Sequence, residues 1–349
     1  MTERVLELFC GLGGMRTALT LLGIPIDAVV AVDLAVEGSS SIYRNTWGDD
    51  VVNKDITSLP VGWFEAVAAS IWTLSPPCQP YTRQGSQRDT EDPRAAALLH
   101  LCAVLEEISR LPKLIVLENV EGFEKSESCR RFVSILKQRG YRSTIHLSNP
   151  LSLGFPNSRS RCFIVASLRD TINLANVDCT SACSFVRRSV GDYLHSTDDQ
   201  VVPDSVLDKP SSIAMDIVSA RSLQSMCFTR GYGRQINGSG SVLYTGDYAP
   251  SWDEMQRPLF NLNRGEMKQL SGKLRFFCPD EIASLQGFSS KPGQRPECLV
   301  HGKVLCNTSI PPLQLGQLGC RAAFRALGNS LNPWSVAFAI IDHIQAPSC

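Results

Sequence analysis

Short runs of β-branched and other apolar residues alternate with helically spaced stretches through the first half of the chain. That rhythm constrains the fold more than any other feature. The runs are Val5–Phe9, Val29–Asp33, Val51–Asp55, Val67–Leu74, Leu114–Glu118, Arg142–Leu147 and Cys162–Ser167. Helical spacing covers Gly14–Leu22, Ala95–Ser109 and Cys129–Gln138. Strands joined through helices pair in parallel, as βαβ units. The expectation is an α/β chain on a mostly parallel sheet. Residues 170–270 lose the rhythm and gain Asp, Ser, Pro and Gly, so they read as an inserted, irregular second domain. Regular patterning resumes in 271–349, where Cys278-Pro-Asp-Glu281 opens a helix and Pro333–His343 forms the last one. Residues 1–169 and 271–349 are therefore expected to be two parts of one domain. Within the second part, 289–325 carries Pro292, Pro296, Pro311 and Pro312 and reads as a loop-like insert.

The chain of 349 residues is 43% hydrophobic and 19% charged, as in ordinary globular proteins. Net charge is zero, so any nucleic-acid surface must come from local clusters of Arg and Lys. The first ten residues lack the apolar core of a signal peptide. No apolar run approaches the roughly 20 residues of a membrane helix. A cytoplasmic or nuclear protein with no membrane partner is expected, and a monomer. The 13 cysteines then read as reduced thiols. No Cys-x-x-Cys pair occurs and the histidines are scattered, so no metal site is expected.

One thiol stands apart. Ser75-Pro-Pro-Cys-Gln-Pro-Tyr-Thr-Arg-Gln-Gly85 follows a predicted strand. Its prolines fix φ and remove donors, so the loop neither extends the strand nor starts a helix before Gln79. A thiol held at the carboxyl edge of a sheet is where an α/β enzyme keeps a nucleophile. A buried structural cysteine is the alternative for Cys78.

The first strand runs into Cys10-Gly-Leu-Gly-Gly-Met15, where glycines let a ligand approach a helix N-terminus. Arg16 stands where a dinucleotide fingerprint needs its third glycine, which argues against a nicotinamide-dependent dehydrogenase. Asp33 ends the second run and can accept ribose hydroxyls; Asp55 ends the third and is placed to meet an adenine amino group. Either aspartate alone reads as a helix cap or turn. Together, behind a glycine loop, they suit an adenosine-bearing ligand without a pyrophosphate cradle, which S-adenosylmethionine satisfies. Glu118 ends an apolar run, where a partly desolvated carboxyl can donate a proton or a hydrogen bond. Arg159 and Arg161 lie two apart and are expected to point the same way, as a fork for a carboxylate or carbonyl.

The ordered set resembles the cytosine-C5 methyltransferase family. It runs from the glycine loop through Asp33, Asp55, Pro-Pro-Cys-Gln, Glu-Asn-Val and Arg-x-Arg to Gln286-Gly-Phe288 and Gly328-Asn-Ser-Leu-Asn-Pro333. The resemblance implies a Rossmann-like class I methyltransferase fold with a seven-stranded sheet and a small target-recognition domain. It implies Cys78 as nucleophile toward C6 of an extruded cytosine and Glu118 at N3. Arg159 and Arg161 would brace Glu118 and the base carbonyl. Phe9, Leu12, Gly13, Gly14, Asp33, Asp55, Ile56, Ser75 and Ser330 would surround S-adenosylmethionine. Pro80-Tyr-Thr-Arg-Gln-Gly85, Leu117–Glu124, Pro156-Asn-Ser-Arg159 and Cys227-Phe-Thr-Arg-Gly-Tyr-Gly233 resemble the eukaryotic branch acting on cytosine 38 of aspartate tRNA. Gln79, Thr82, Arg83, Cys227, Phe228, Thr229, Arg230 and Tyr232 would then meet a tRNA. A buried turn is the rival reading of Cys227-Phe-Thr. DNA is the alternative substrate, which Gln286 favours, and a catalytically idle nucleic-acid-binding relative is the alternative class.

Overall fold

The computed structural model describes residues 2–34, 38–82, 88–168, 187–194, 200–235, 237–247, 267–288, 299–300, 303–304 and 310–345. Its main sheet is built from β1 (Glu3–Leu8), β2 (Ile26–Asp33), β3 (Val51–Asn53), β4 (Ile71–Leu74), β5 (Leu114–Val120), β6 (Arg142–Ser148) and β7 (Arg161–Ser167). The spatial order is β3-β2-β1-β4-β5-β7-β6. Strands β1 to β5 pair in parallel, and β7 runs antiparallel to both β5 and β6.

Alternation along each strand explains the layers. On β5, Leu114 and Val116 join the core that contains α1 (Gly14–Leu21), while Ile115 and Leu117 join the opposite core. That second core holds α4 (Ala96–Glu107) and α5 (Glu127–Gln138). Successive side chains of a strand point to opposite faces, so a strand covered on both faces must be apolar throughout. Helix α5 starts where Ser126 Oγ accepts the Cys129 N–H at 3.0 Å, an N-cap that satisfies an otherwise orphaned donor.

Three expectations are corrected. The run Val67–Leu74 is strand only from Ile71, because Val67 ends α3 (Val61–Val67), which starts after Pro60. Helix α2 (Ser39–Trp47) was not anticipated; its weak, serine-rich pattern is bounded by Gly38 at φ +82° and Gly48 at φ +81°. The segment 289–325 is not wholly loop-like. It contains the hairpin β11 (Leu299–Val300) and β12 (Lys303–Val304), and α8 (Cys320–Gly328) begins inside it. Ala323, Phe324, Ala326 and Leu327 of α8 are buried, so a 3.6-residue period was present but short.

A smaller sheet joins β8 (Asp216–Val218), β9 (Ser241–Tyr244) and β10 (Leu274–Arg275) in the order β10-β9-β8. Its last strand lies past residue 270, so the unit extends beyond the boundary read from composition. Val202, Leu207 of α6 (Asp204–Leu207), Ile217, Val242 and Leu274 form its core. It is tied to α7 (Pro279–Leu285) by the buried Arg275–Glu281 pair, at 2.8 Å on both guanidinium nitrogens. Helix α9 (Pro333–Gln345) packs back on the main sheet through Trp334, Val336 and Ala337. Among the described residues no helix is long and apolar enough to cross a membrane. Leu117 is fully buried at the centre of β5. Leu117→Ala is expected to cost about 2–5 kcal/mol, read as a lowered urea midpoint.

Candidate active site

The carboxyl ends of β1, β2 and β4 open on a cavity of about 320 Å³. Phe9, Gly11 and Leu12 follow β1, Asp33 closes β2, and Ser75 to Gln79 follow β4; Glu118 of β5 completes that wall. The far wall is Arg159 and Arg161 with Ala326, Gly328, Asn329 and Ser330 at the end of α8. Residues far apart in sequence meet at this edge because the parallel strands β1, β2, β4 and β5 all end there, and the antiparallel β7 begins there at Arg161.

The Cys78 loop is fixed at both ends. Ser75 N–H donates to Leu8 O at 3.3 Å, and Tyr81 N–H closes a turn on Cys78 O at 2.9 Å. Tyr81 packs edge-on against Phe123, with centroids 4.8 Å apart. Beyond Arg83, which lies outside the described residues, Asp89 caps α5. Its carboxylate accepts the Glu127 N–H at 2.5 Å and the Ser128 hydroxyl at 2.6 Å. Cys78 is half-buried. Burial pushes its thiol above the ordinary range and the Glu118 charge adds to this, while Arg161 and Arg159 oppose it.

The arginines were expected to act alike, and they do not. Arg161 Nε donates to Glu118 Oε1 at 3.0 Å. Arg159 is 4% exposed and turns elsewhere. It donates to Cys227 Sγ at 3.1 Å, Phe228 O at 3.3 Å and Gly328 O at 3.2 Å, and also to Ser330 O. β7 begins only at Arg161, so the same-face rule for alternate strand residues does not reach Arg159. Burial raises the Cys227 thiol, but Arg159 and Arg161 outweigh it and hold the thiol below the ordinary range.

On the cofactor side, Phe9, Leu12, Asp33, Ser75 and Ser330 line the cavity. Asp33 Oδ2 accepts the Gly11 N–H at 2.8 Å. Burial raises the Asp33 carboxyl, against the Gly11 and Leu34 N–H groups. Gly11 was not among the glycines expected to surround the cofactor, yet it is the member of the Gly11–Gly14 loop that lines the cavity. It sits at φ +52°, and a Cβ there would meet nothing within 4 Å. Gly13 and Gly14 serve the protein's own packing. A Cβ on Gly13 would stand 2.5 Å from Trp47, and one on Gly14 2.7 Å from Leu331. Ile56 is buried in the core beside α4. Asp55 caps a 3-10 turn, accepting the Thr57 N–H at 2.9 Å and hydroxyl at 2.8 Å. The cap reading of Asp55 describes its geometry, and neither residue lines the cavity. Arg16 is spent on Asp49 and on the Trp47 ring, 4.5 Å away.

On the substrate side, Gln79 lines the cavity, and Thr82 donates to Gln79 O at 3.3 Å. Phe228 and Tyr232 were expected to meet substrate but are 1% and 4% exposed. They stack edge-on at 5.0 Å, and the Tyr232 hydroxyl donates to Ser241 O at 2.8 Å. Aromatic rings this deep serve packing, so the buried-turn reading holds for them. Thr229 is half-buried and Arg230 exposed. Arg94 also lines the cavity, held by Asp92 at 2.8 and 2.6 Å, and no local pattern marks it in the sequence. Among the described residues no cluster of metal-binding side chains occurs.

A mostly parallel sheet with one reversed strand, and a cleft of cysteine, glutamate and arginine at its carboxyl edge, define a Rossmann-like methyltransferase fold. The family model described as C-5 cytosine-specific DNA methylase matches residues 3–292. The tRNA (cytosine(38)-C(5))-methyltransferase of Schizosaccharomyces pombe is 33% identical, with 97% of this chain and 95% of that one covered. The enzyme of that name from Bos taurus is 31% identical, covering 96% and 97%. The crystal structure of the S. pombe Dnmt2 methyltransferase superposes with a TM-score of 0.73 at 30% identity, covering 99% and 100%. The chain belongs to the C-5 cytosine-specific methylase family.

Two outcomes follow. Because burial raises the Cys78 thiol, its thiolate appears only as pH climbs past the ordinary thiol range. Iodoacetamide should label it more slowly than free cysteine at neutral pH, with the rate still rising where a free thiol has levelled off. Arg161→Ala should move that profile further up. Arg159→Ala should leave the Phe228, Gly328 and Ser330 carbonyls without their donor, the first of them buried, and cost about 2–3 kcal/mol in urea unfolding. Arg159→Lys cannot reach them all and should recover little.

Proposed function

We propose that this protein transfers a methyl group from S-adenosylmethionine to C5 of cytosine 38 in the anticodon loop of a tRNA, aspartate tRNA being the substrate. One observation carries the chemistry: Cys78 shares a cavity with a glutamate that an arginine holds at 3.0 Å. Cytosine C5 is a weak nucleophile. Addition of the Cys78 thiolate at C6 places electron density on C5, and the Glu118 carboxyl donates its proton to N3, where the negative charge develops. Arg161 holds the Glu118 carboxyl group in position. Bound S-adenosylmethionine would supply the electrophilic methyl group. Loss of the C5 proton to water then re-forms the C5–C6 double bond and expels Cys78 Sγ as the thiolate, and N3 returns its proton to Glu118.

Asp33, beside the open Gly11 backbone, would accept the ribose hydroxyls of that cofactor. Phe9, Leu12, Ser75 and Ser330 would close around it. The similarity to the S. pombe and cattle tRNA enzymes, over nearly the whole of each chain, supports RNA over DNA. So does the physics of extrusion. An anticodon loop presents unstacked bases, whereas a duplex base must first be unpaired at a cost of a few kcal/mol.

Labelled S-adenosylmethionine with tRNA or duplex DNA tests the reading. Label at cytosine 38 of tRNA is expected, and transfer to DNA with none to tRNA rejects the RNA substrate. Cys78→Ala should bind cofactor yet transfer nothing, and retained turnover would remove Cys78 from the mechanism. Arg161→Ala should lower kcat by roughly 10²-fold while leaving cofactor affinity unchanged.

A further inference from the structure

Glu7 is an acid that the mechanism leaves unused, and it is 1% exposed. It lies on the face of β1 that packs on α1, two residues after Val5. Its carboxyl joins two helices. Oε1 accepts the Arg16 N–H at 3.2 Å, in the first turn of α1. Oε2 accepts the hydroxyl of the fully buried Tyr43 of α2 at 2.7 Å. Gly13 at the N-cap of α1 has no side chain to meet first-turn donors, so an acceptor comes from the strand instead. The Arg16 guanidinium is spent on Asp49 and the Trp47 ring. An apolar side chain would fill this space without the cost of burying an acid, so packing alone does not account for Glu7.

Between β1 and α1 runs the glycine loop of the cofactor wall. Phe9, Gly11 and Gly13 in it all sit at positive φ, at +58°, +52° and +80°. A backbone in that region holds its shape where its surroundings fix it. Each part of the loop has an anchor. Cys10 N–H donates to Val32 O at 3.2 Å, Gly11 N–H to Asp33 Oδ2 at 2.8 Å and Gly13 N–H to Cys10 O at 2.8 Å. Glu7 anchors the exit, at Arg16. Phe9, Gly11, Leu12 and Asp33 line the cavity, so the anchored stretch is the cofactor wall itself. Among the described residues, the ionisable groups facing Glu7 are Tyr43 of α2, Arg16 of α1, Asp33 of β2 and, in the loop, Cys10. Burial outweighs the Tyr43 and Arg16 contacts and pushes the Glu7 carboxyl up to about 7, with the Asp33 charge adding to it. Ionised, the carboxyl accepts from both partners. Protonated, one of its oxygens carries a hydrogen toward a donor, and that contact weakens.

We propose that Glu7 is the positioning residue of the cofactor loop: its ionised carboxyl ties the exit of the loop to α2 and so holds Gly11 and Asp33 in the arrangement that receives the adenosine of S-adenosylmethionine. The assignment rests on the cofactor reading above. Glu7 stands behind the cavity wall and acts through the Arg16 N–H and Tyr43. Cofactor affinity is therefore linked to the proton on Glu7 and rises with pH through the neutral range.

Titration calorimetry of S-adenosylmethionine at about pH 6, 7 and 8 tests it, with Glu7→Gln and Tyr43→Phe beside the wild type. A carboxyl with its midpoint near 7 is about one-tenth ionised at the lowest pH and about nine-tenths at the highest, so wild-type affinity should tighten about tenfold across the range. Glu7→Gln keeps the shape of the protonated form. It should bind at the weak, low-pH level throughout, with the KM for tRNA unchanged. The cofactor's own amine titrates alike in every variant and cancels in the comparison. Tyr43→Phe removes one donor to the carboxylate and should move the midpoint to higher pH. Stability separates positioning from packing. A carboxyl raised to about 7 favours the fold at low pH, and that stability is lost as pH rises through this value. Glu7→Gln carries no such charge. At the highest pH its cofactor-free thermal midpoint should therefore be no lower than the wild type's, while its affinity is about tenfold weaker. A Glu7→Gln protein that binds with the wild-type pH profile, or that loses affinity only together with thermal midpoint, overturns the assignment. A wild type that binds no S-adenosylmethionine at any of these pH values overturns the cofactor reading, and this role of Glu7 with it.

Discussion

The buried guanidinium of Arg159 is the constraint on which the rest of the cleft depends. Taking a cation out of water costs several kcal/mol unless its donors are met. Here they reach acceptors on two segments that sequence separates by a hundred residues: Cys227 and Phe228 on one, Gly328 and Ser330 on the other. Arg159 immediately precedes β7, so the same contacts tie the end of α8 and the 227–228 turn to the main sheet. Remove the charge and the buried Phe228 carbonyl is left without a donor.

That cation also sets the electrostatics of the site. Cys78 and Cys227 are both shielded from water, which penalises a thiolate in each. Cys227 takes a direct hydrogen bond from Arg159, so its thiol falls below the usual range. Cys78 faces the Glu118 charge, so its thiol stays above it. Arg161 moderates the penalty by pairing with Glu118, so one ion pair orders the carboxylate and tempers the thiol together.

Much of this was legible in the chain, for a definite reason. Residues that end apolar runs arrive at the carboxyl edge of a parallel sheet, and Phe9, Asp33, Ser75 and Glu118 all reach the cavity that way. The proline-stiffened loop similarly announced Cys78. Other positions are locally ambiguous. Asp55 caps a turn through Oδ1, a role that the chain spells as readily as a ligand contact. Glycines that admit a ligand look like glycines that admit another helix; Gly11 faces the cavity while Gly13 and Gly14 face Trp47 and Leu331. Helix α2 has a serine-rich, weakly apolar pattern, and α8 begins inside a proline-bearing stretch that reads as loop. Phe228 and Tyr232 sit in a glycine-rich stretch that reads as a contact loop, yet hydrophobic burial draws their rings inward.

The sequence by itself determined the class of fold and many of the side chains that arrive at the carboxyl edge of the sheet. Periodicity and backbone stiffness are local properties, and each is written in a few consecutive residues. Only the tertiary structure decided which partner each of those side chains takes. Arg161 meets Glu118 and Arg159 does not, because the strand begins between them. The end of α8 meets the 229–230 backbone because Gly328 puts no side chain between them. Partnership of this kind depends on distance through space, and residues far apart in the chain acquire a distance only once the sheet, the helices and the buried cation have brought them together.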